Sequence, residues 1–325
     1  MDFASLLESW PLTGTPQLQP TEGGWNNLSR LVTANEGRFV LRLYQNTANP
    51  ERVRFEHELL TRLAAEGLPF DVPAPVATRT GESLVTTSEG ALAALFRLIP
   101  GTGAEGLNLA HARAAGEAQA RLHRAMARVG RIPVGCPPTG YARLDLVHPL
   151  VAEPLEAAEF IGVEPQRLRA IIEELQPAVE RIYGSLPLQV IHGDYARSNI
   201  LLVGDRVTGV LDFEFASYDL RATDLAVGLY PFALGHLESG EHWRLLDAYM
   251  AGYGSVQRLT RDEVEGLPTL LRLVRVVSLL HWTGRTRQGL YSLPELQERA
   301  VSLLAFSDWL DDHLPEVQDR VAQIG

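Results

Sequence analysis

The sequence predicts an α+β protein in two lobes, with a strand-rich first hundred residues and a mainly helical remainder. Three observations carry that reading. Short apolar and β-branched runs crowd residues 28–99 around one helical stretch, and from residue 108 helical periodicity predominates. Between them Pro100-Gly101-Thr102-Gly103 breaks both patterns, so the lobes are expected at 1–99 and 100–325. At 325 residues the chain is long enough for a lobe on each side of such a break.

In the first lobe, Leu28 to Ala34 and Arg38 to Tyr44 read as strands, with Asn35-Glu36-Gly37 as the hairpin turn. A glycine-bearing loop, Thr21 to Asn27, precedes them. A helix follows from about Pro50 to Glu66; Pro50 suits its first turn and Gly67 its stop. Leu84 to Thr87 and Ala91 to Ile99 read as further strands. In the second lobe Asn108 can cap a long helix whose apolar stripe includes Leu109, Ala112, Ala115, Ala118, Leu122 and Met126. Residues 131–149, rich in proline and glycine, read as a surface excursion, and another helix runs from Glu164-Pro165 to about Tyr183. Leu188 to Ile191, Ile200 to Leu202 and Val207 to Leu211 are apolar runs too short for helices. From Leu220 onward the pattern is helical.

Composition removes several function classes. The net charge of −11 argues against non-specific nucleic-acid binding, which needs basic surface to displace counterions. No run is long and apolar enough to span a membrane, and the start Met1-Asp2-Phe3-Ala4 lacks a signal-peptide pattern, so a cytoplasmic protein is expected. One cysteine, Cys136, permits neither an intrachain disulfide nor a cysteine metal cluster. All 29 basic residues are arginine, so any role that needs a cation falls to arginine or histidine. The acidic surplus is larger after residue 100, which suits a cationic small-molecule partner; a solubilising surface is the simpler reading. Oligomeric state is not legible.

The chemistry-bearing stretch is His192-Gly193-Asp194-Tyr195-Ala196-Arg197-Ser198-Asn199, then a hairpin turning at Gly204-Asp205, then Asp212-Phe213-Glu214. Three oxygen-bearing side chains are thereby expected at strand ends on one edge of a small β unit. Phosphoryl transfer needs such a set: a carboxylate to orient and deprotonate the attacking hydroxyl, and hard oxygen ligands for magnesium beside the phosphates. A metallohydrolase reading of His192-x-Asp194 wants further histidines at ligand spacing, and His148, His236, His242 and His281 supply no evident cluster.

The ordered set H-G-D-x-x-x-x-N followed by D-x-E resembles the aminoglycoside phosphotransferase and choline kinase superfamily, which has a protein-kinase-like fold. The resemblance extends through Arg38 to Arg42, Glu56, Leu122-His123 and Asp224-Leu225-Ala226. It implies Asp194 as catalytic base, with Asn199, Asp212 and Glu214 as magnesium ligands. His192 and Asp224 would brace the catalytic loop. The strand cation that reaches the nucleotide phosphates is usually lysine; here the matching position is Arg42, with Glu56 as its partner. Gly23 and Gly24 would lie in the loop over the phosphates, and backbone at Leu98 would meet the adenine. Asp212 and Asp224 are only 12 residues apart, which leaves little room for a protein-kinase activation segment. The resemblance therefore implies ATP and magnesium acting on a small hydroxylated molecule. An aminoglycoside-like acceptor is placed first and homoserine second, because Phe55 to Leu60 and the hinge also resemble bacterial homoserine kinases. A non-catalytic nucleotide-binding scaffold stands as the alternative of another class. Asp219 is a candidate to hold an acceptor amine, and Trp243, His281 and Trp282 are candidates to line the acceptor pocket.

Overall fold

The computed structural model describes residues 3–21, 27–45, 47–104, 106, 108–132, 135 and 140–324. Gly23 and Gly24 of the expected phosphate loop lie outside them, as does Cys136. The chain forms two compact units: Met1–Ala104 with Arg128–Cys136 and Ser198–Ala216, and Glu105–Ala127 with Pro137–Arg197 and Ser217–Gly325. The break expected at Pro100 is thus accompanied by two later segments that pack with the first unit.

In chain order the elements begin with α1 (Phe3–Leu7), β1 (Gln17–Pro20), β2 (Asn27–Ala34), β3 (Gly37–Tyr44), α2 (Pro50–Ala64), β4 (Val85–Thr86), β5 (Leu92–Arg97) and β6 (Thr102–Gly103). Next come α3 (Leu109–Val129), α4 (Pro154–Ile161), α5 (Pro165–Ser185), β7 (Leu188–Ile191), β8 (Ile200–Val203), β9 (Arg206–Val210) and β10 (Ser217–Leu220). The chain closes with α6 (Arg221–Phe232), α7 (His242–Gly254), α8 (Arg261–Arg287) and α9 (Leu293–Ile324). Among the described residues no helix is long and apolar enough to cross a membrane.

The first unit holds an antiparallel sheet in the order β1-β2-β3-β5-β4. Alternation along β3 sorts its side chains onto two faces. Phe39, Leu41 and Leu43 are buried with Trp10, Val32, Ala93 and Leu95, so the intervening Arg42 is presented on the opposite face. α2 is capped at Asn49, whose side chain accepts from Glu51 N, and it buries Val53, Phe55, Leu59, Leu60 and Leu63. A second small sheet, β6-β8-β9, carries the hairpin that turns at Gly204.

In the second unit β7 pairs antiparallel with β10, from Leu188↔Leu220 to Ile191↔Ser217. This corrects the expectation of one β unit delivering all three oxygen-bearing side chains. Asp194 follows a ladder separate from the β8–β9 hairpin that carries Asn199 and Asp212. The cause is a non-local pairing: β7 skips the adjacent hairpin to bond with residues 217–220, which in sequence look like the approach to a helix. The helix α4 is likewise an addition to the elements expected from the sequence. Asn108 does cap α3, its Oδ1 accepting from Ala110 N at 2.8 Å.

Two glycines set how closely α3 and α7 cross. A Cβ added at Gly116 would stand 2.0 Å from the carbonyl oxygen of Tyr249, and one at Gly252 would stand 1.9 Å from that of Arg113. Backbone must move to admit either. Gly252→Ala is expected to lower stability by about 1–3 kcal/mol, read as an earlier denaturant midpoint with an unchanged slope. An unshifted midpoint would show that the crossing tolerates the added methyl.

Candidate functional site

The candidate site residues fall into two sets, one in each unit. In the first unit, Arg42 Nη1 lies 3.3 Å from Glu56 Oε1 and 3.2 Å from Asp212 Oδ1. The guanidinium therefore joins the β3 position, the α2 glutamate and the residue beyond β9. Burial lowers the affinity of Arg42 for its proton, but the charges of Asp212 and Glu56 more than offset this and hold its pKa above the usual range. For Glu56 the balance tips the other way. Burial, with help from the Asp212 and Glu214 charges, outweighs the attraction of Arg42 and raises its pKa to about 7. The ion pair carries a desolvation cost, since only 4% of the Glu56 side chain is exposed to solvent.

Glu56 is held from its other side by a relay that the sequence did not reveal. Tyr44 Oη donates to Glu56 Oε2 at 3.2 Å and lies 3.1 Å from His57 Nε2, while His57 Nδ1 lies 2.8 Å from Ser83 Oγ. Burial drops the His57 pKa to about 4, so the ring is neutral and can donate from Nε2 while accepting at Nδ1.

The register Ile200↔Val210 sets Asn199 opposite Leu211, whose amide donates to the Asn199 carbonyl at 2.7 Å. Asp212 follows directly, with φ +64°, a left-handed conformation that aspartate tolerates better than most residues but which still carries strain. Glu214 accepts at Oε2 from Asn27 Nδ2, 2.8 Å away, and its carbonyl accepts from Arg52 Nη2. Among the described residues no three His, Cys, Asp or Glu side chains gather as a metal cluster. Magnesium fits a sparser set, taking one or two carboxylates together with phosphates and water. Asp212 and Asn199 at one hairpin end offer hard oxygen donors of that kind, and a carboxylate that accepts from Arg42 keeps lone pairs for a cation. Leu98 N donates to the Arg38 carbonyl at 3.1 Å, so what it can offer a base is its carbonyl and side chain.

The second set is the loop 192–197. Gly193 has φ +79°, which a side chain would strain, and this lets two successive amides turn onto one acceptor. His192 N and Gly193 N donate to the Asp224 carboxylate at 3.2 and 2.7 Å. His123 Nε2 lies 2.8 Å from the same carboxylate, and its Nδ1 lies 2.9 Å from Tyr253 Oη, so both ring nitrogens are partnered. Asp224 is fully buried, yet these donors and the nearby histidines outweigh burial and hold its pKa below the usual aspartate range. Asp194 N donates to His192 Nδ1 at 3.1 Å, which leaves the half-buried carboxylate of Asp194 at the turn of a loop pinned from behind.

Three further supports were not read from the sequence. Tyr141 Oη donates to the Gly193 carbonyl at 2.7 Å, Tyr195 Oη donates to the Ala115 carbonyl at 2.9 Å, and Gln119 Nε2 donates to the Asp224 carbonyl at 2.6 Å. The role offered for Asp219 is corrected. Its side chain is fully buried and already accepts from Tyr141 N, Leu220 N and Tyr183 Oη, so it anchors the loop carrying Tyr141 and is not presented to an acceptor.

Residues 17–267, which are most of the chain, match the model of the phosphotransferase enzyme family. The chain belongs to that family. This phosphotransferase is 30% identical over 284 residues to the homoserine kinase of Methylobacillus flagellatus, covering 86% of this chain and 82% of that one. Among solved structures it resembles a microcompartment-associated aminopropanol kinase, with TM-score 0.71, 21% identity and coverage of 97% and 98%. It also resembles an aminoglycoside phosphotransferase from Alicyclobacillus acidocaldarius, with TM-score 0.65, 15% identity and coverage of 98% and 95%. The protein-kinase-like α+β fold expected from the motifs is therefore present. The phosphotransferase is a small-molecule kinase that takes an alcohol group as acceptor and a nucleotide as co-substrate.

Proposed function

We propose that this phosphotransferase is an ATP- and magnesium-dependent homoserine kinase. The observation that carries the reading is the 30% identity to homoserine kinases spread over more than four-fifths of both chains, so that the likeness is not confined to the nucleotide motifs. The aminoglycoside-like acceptor placed first from the motifs has support in fold alone, at 15% identity. Homoserine keeps the cationic amine expected of the acceptor within a far smaller molecule.

On this reading residues 1–99, together with the hairpin ending in Asp212, hold ATP. Arg42 neutralises phosphate charge, its planar fork taking the place of the usual ammonium. Asn199 and Asp212 hold magnesium, with Glu214 in support. When bound, the metal supplies charge neutralisation on the transferring phosphoryl group. Asp194 receives the proton of the acceptor hydroxyl as its oxygen bonds to the γ-phosphorus, while the bond to the β–γ bridging oxygen breaks and ADP departs. His192 and Asp224 fix the position of that carboxylate and touch neither substrate. Because the transition state is loose, positioning and charge account for most of the acceleration.

The test is ADP release measured against homoserine, an aminoglycoside panel, choline and 3-aminopropan-1-ol. Homoserine is expected to give the highest kcat/KM, and a higher value for an aminoglycoside would replace the reading. A second expectation concerns the metal. Asp212→Ala should weaken magnesium-dependent ATP binding by about 100-fold in a fluorescence titration while metal-free binding changes little. Unchanged magnesium dependence would remove Asp212 from the ligand set.

A further inference from the structure

Among the described residues, Arg275 and Arg299 of the second unit have no acid as an ion-pair partner. Arg275 on α8 lies with Cζ 3.9 Å from the centre of the Tyr230 ring, and its Nη2 donates to Ser302 Oγ at 3.2 Å. Arg299 on α9 lies over Trp282 at 4.7 Å and Tyr291 at 5.4 Å, and its Nε donates to Tyr291 Oη at 2.8 Å. Ser302 is one turn beyond Arg299 on the same helix, so the contact from Arg275 to Ser302 reaches the face of α9 that carries Arg299. All five aromatic and arginine side chains are half-buried.

The missing acids are as informative as the arginines. Other arginines of this unit, such as Arg167, Arg221, Arg272 and Arg320, each pair with a carboxylate. Among the described residues neither Arg275 nor Arg299 does, and Arg275 Nε has no hydrogen-bond partner. A half-buried cation without a counter-charge carries an uncompensated desolvation cost, and placing a second beside it adds repulsion. Burial and then the charge of Arg299 hold Arg275 below the usual arginine range, opposed in part by Tyr230. Nearby His281 is driven to about 4 by burial and then by His148, Arg285 and Arg299. That leaves arginine as the source of positive charge, and stacking on aromatic faces holds each guanidinium flat, the form in which it pairs with an anion.

The same helix end leads to the catalytic loop. Arg197, three residues after Asp194, has Nη1 3.4 Å from His236 Nε2, and that nitrogen lies 2.9 Å from the Pro231 carbonyl. Pro231 adjoins Tyr230, the ring beneath Arg275.

We propose that Arg275 and Arg299, stacked on Tyr230 and Trp282, bind the carboxylate of the acceptor. The inference rests on the homoserine reading and extends it. Homoserine carries an α-carboxylate that an aminoglycoside lacks, and a paired arginine site selects for it while repelling a polycation. It makes the two arginines determinants of specificity.

The experiment compares homoserine with its decarboxylated analogue 3-aminopropan-1-ol and its deaminated analogue 4-hydroxybutanoate, using the wild type, Arg275→Gln and Arg299→Gln. The wild type is expected to prefer homoserine over 3-aminopropan-1-ol by about 100-fold or more in kcat/KM. In either variant that preference should collapse to within about tenfold, through a raised KM for homoserine. Arg275→Lys, which keeps the charge, should fall between, and it decides the matter if a glutamine variant fails to fold. An unchanged preference, or a parallel loss for both acceptors, would overturn the subsite while leaving the homoserine reading standing. Wild-type enzyme that ignores homoserine but shows arginine-dependent turnover of 4-hydroxybutanoate would remove the homoserine reading and keep the subsite. Turnover confined to acceptors without a carboxylate would overturn both.

Discussion

Asp194→Asn is expected to lower kcat for homoserine phosphorylation by about 100- to 10,000-fold with little change in ATP affinity. The substitution keeps the shape of the side chain but removes the carboxylate proposed to accept the hydroxyl proton. Backbone at residue 194 is held by His192 Nδ1, and the residues before it by Asp224, so the loop keeps its conformation when the side chain changes. ATP affinity is spared because the residues assigned to phosphate and metal, Arg42, Asn199 and Asp212, belong to the other unit. Steady-state kinetics alongside a nucleotide titration separate the two quantities. Retained turnover with normal folding would show that another group takes the proton.

Asp224→Ala is expected to be the most destabilising single change in the second unit, by about 3–5 kcal/mol. It removes the acceptor shared by His192 N, Gly193 N and His123, and leaves those donors buried without partners. Its ionisation gives a signature in pH. The folded carboxylate has a depressed pKa, so its contribution is fully present above the unfolded aspartate value of about 3.9 and is lost as pH falls through the lower folded value. Asp224→Asn should therefore lower stability at neutral pH and flatten the acid limb of the stability profile below about pH 4. A variant with wild-type stability at neutral pH would contradict the bracing role.

The difference between these two residues shows what the sequence can express. The ordered motif from His192 to Glu214, on which the proposal for Asp194 rests, is visible in the sequence because spacing is a one-dimensional property. The pairing of Arg42 with Glu56 was expected from the family resemblance, and the two side chains meet in the structure. The alternation of Phe39, Leu41 and Leu43 puts the cation on the other face of β3, and the α2 glutamate faces it. Asp219 looks like a free acid in sequence, since nothing local marks it as spoken for. Its partners Tyr141 and Tyr183 are 78 and 36 residues away, and they are joined to it only once the loop and α5 have packed. The pairing of β7 with β10 is hidden in the same way, by an intervening hairpin that looks like the natural partner. The arginines on α8 and α9 carry no mark in the sequence either, because which side chains surround them is a property of three dimensions.

The measurement that tests the central claim most directly is phosphorus NMR of a reaction containing enzyme, ATP, magnesium and homoserine, with the Asp194→Asn enzyme run beside it. The account predicts a new phosphomonoester resonance coupled to the terminal methylene of homoserine, growing as the γ-phosphate signal of ATP declines, and absent on the same timescale with the variant. Free inorganic phosphate with no ester, or an ester that forms equally well with Asp194→Asn, would contradict it.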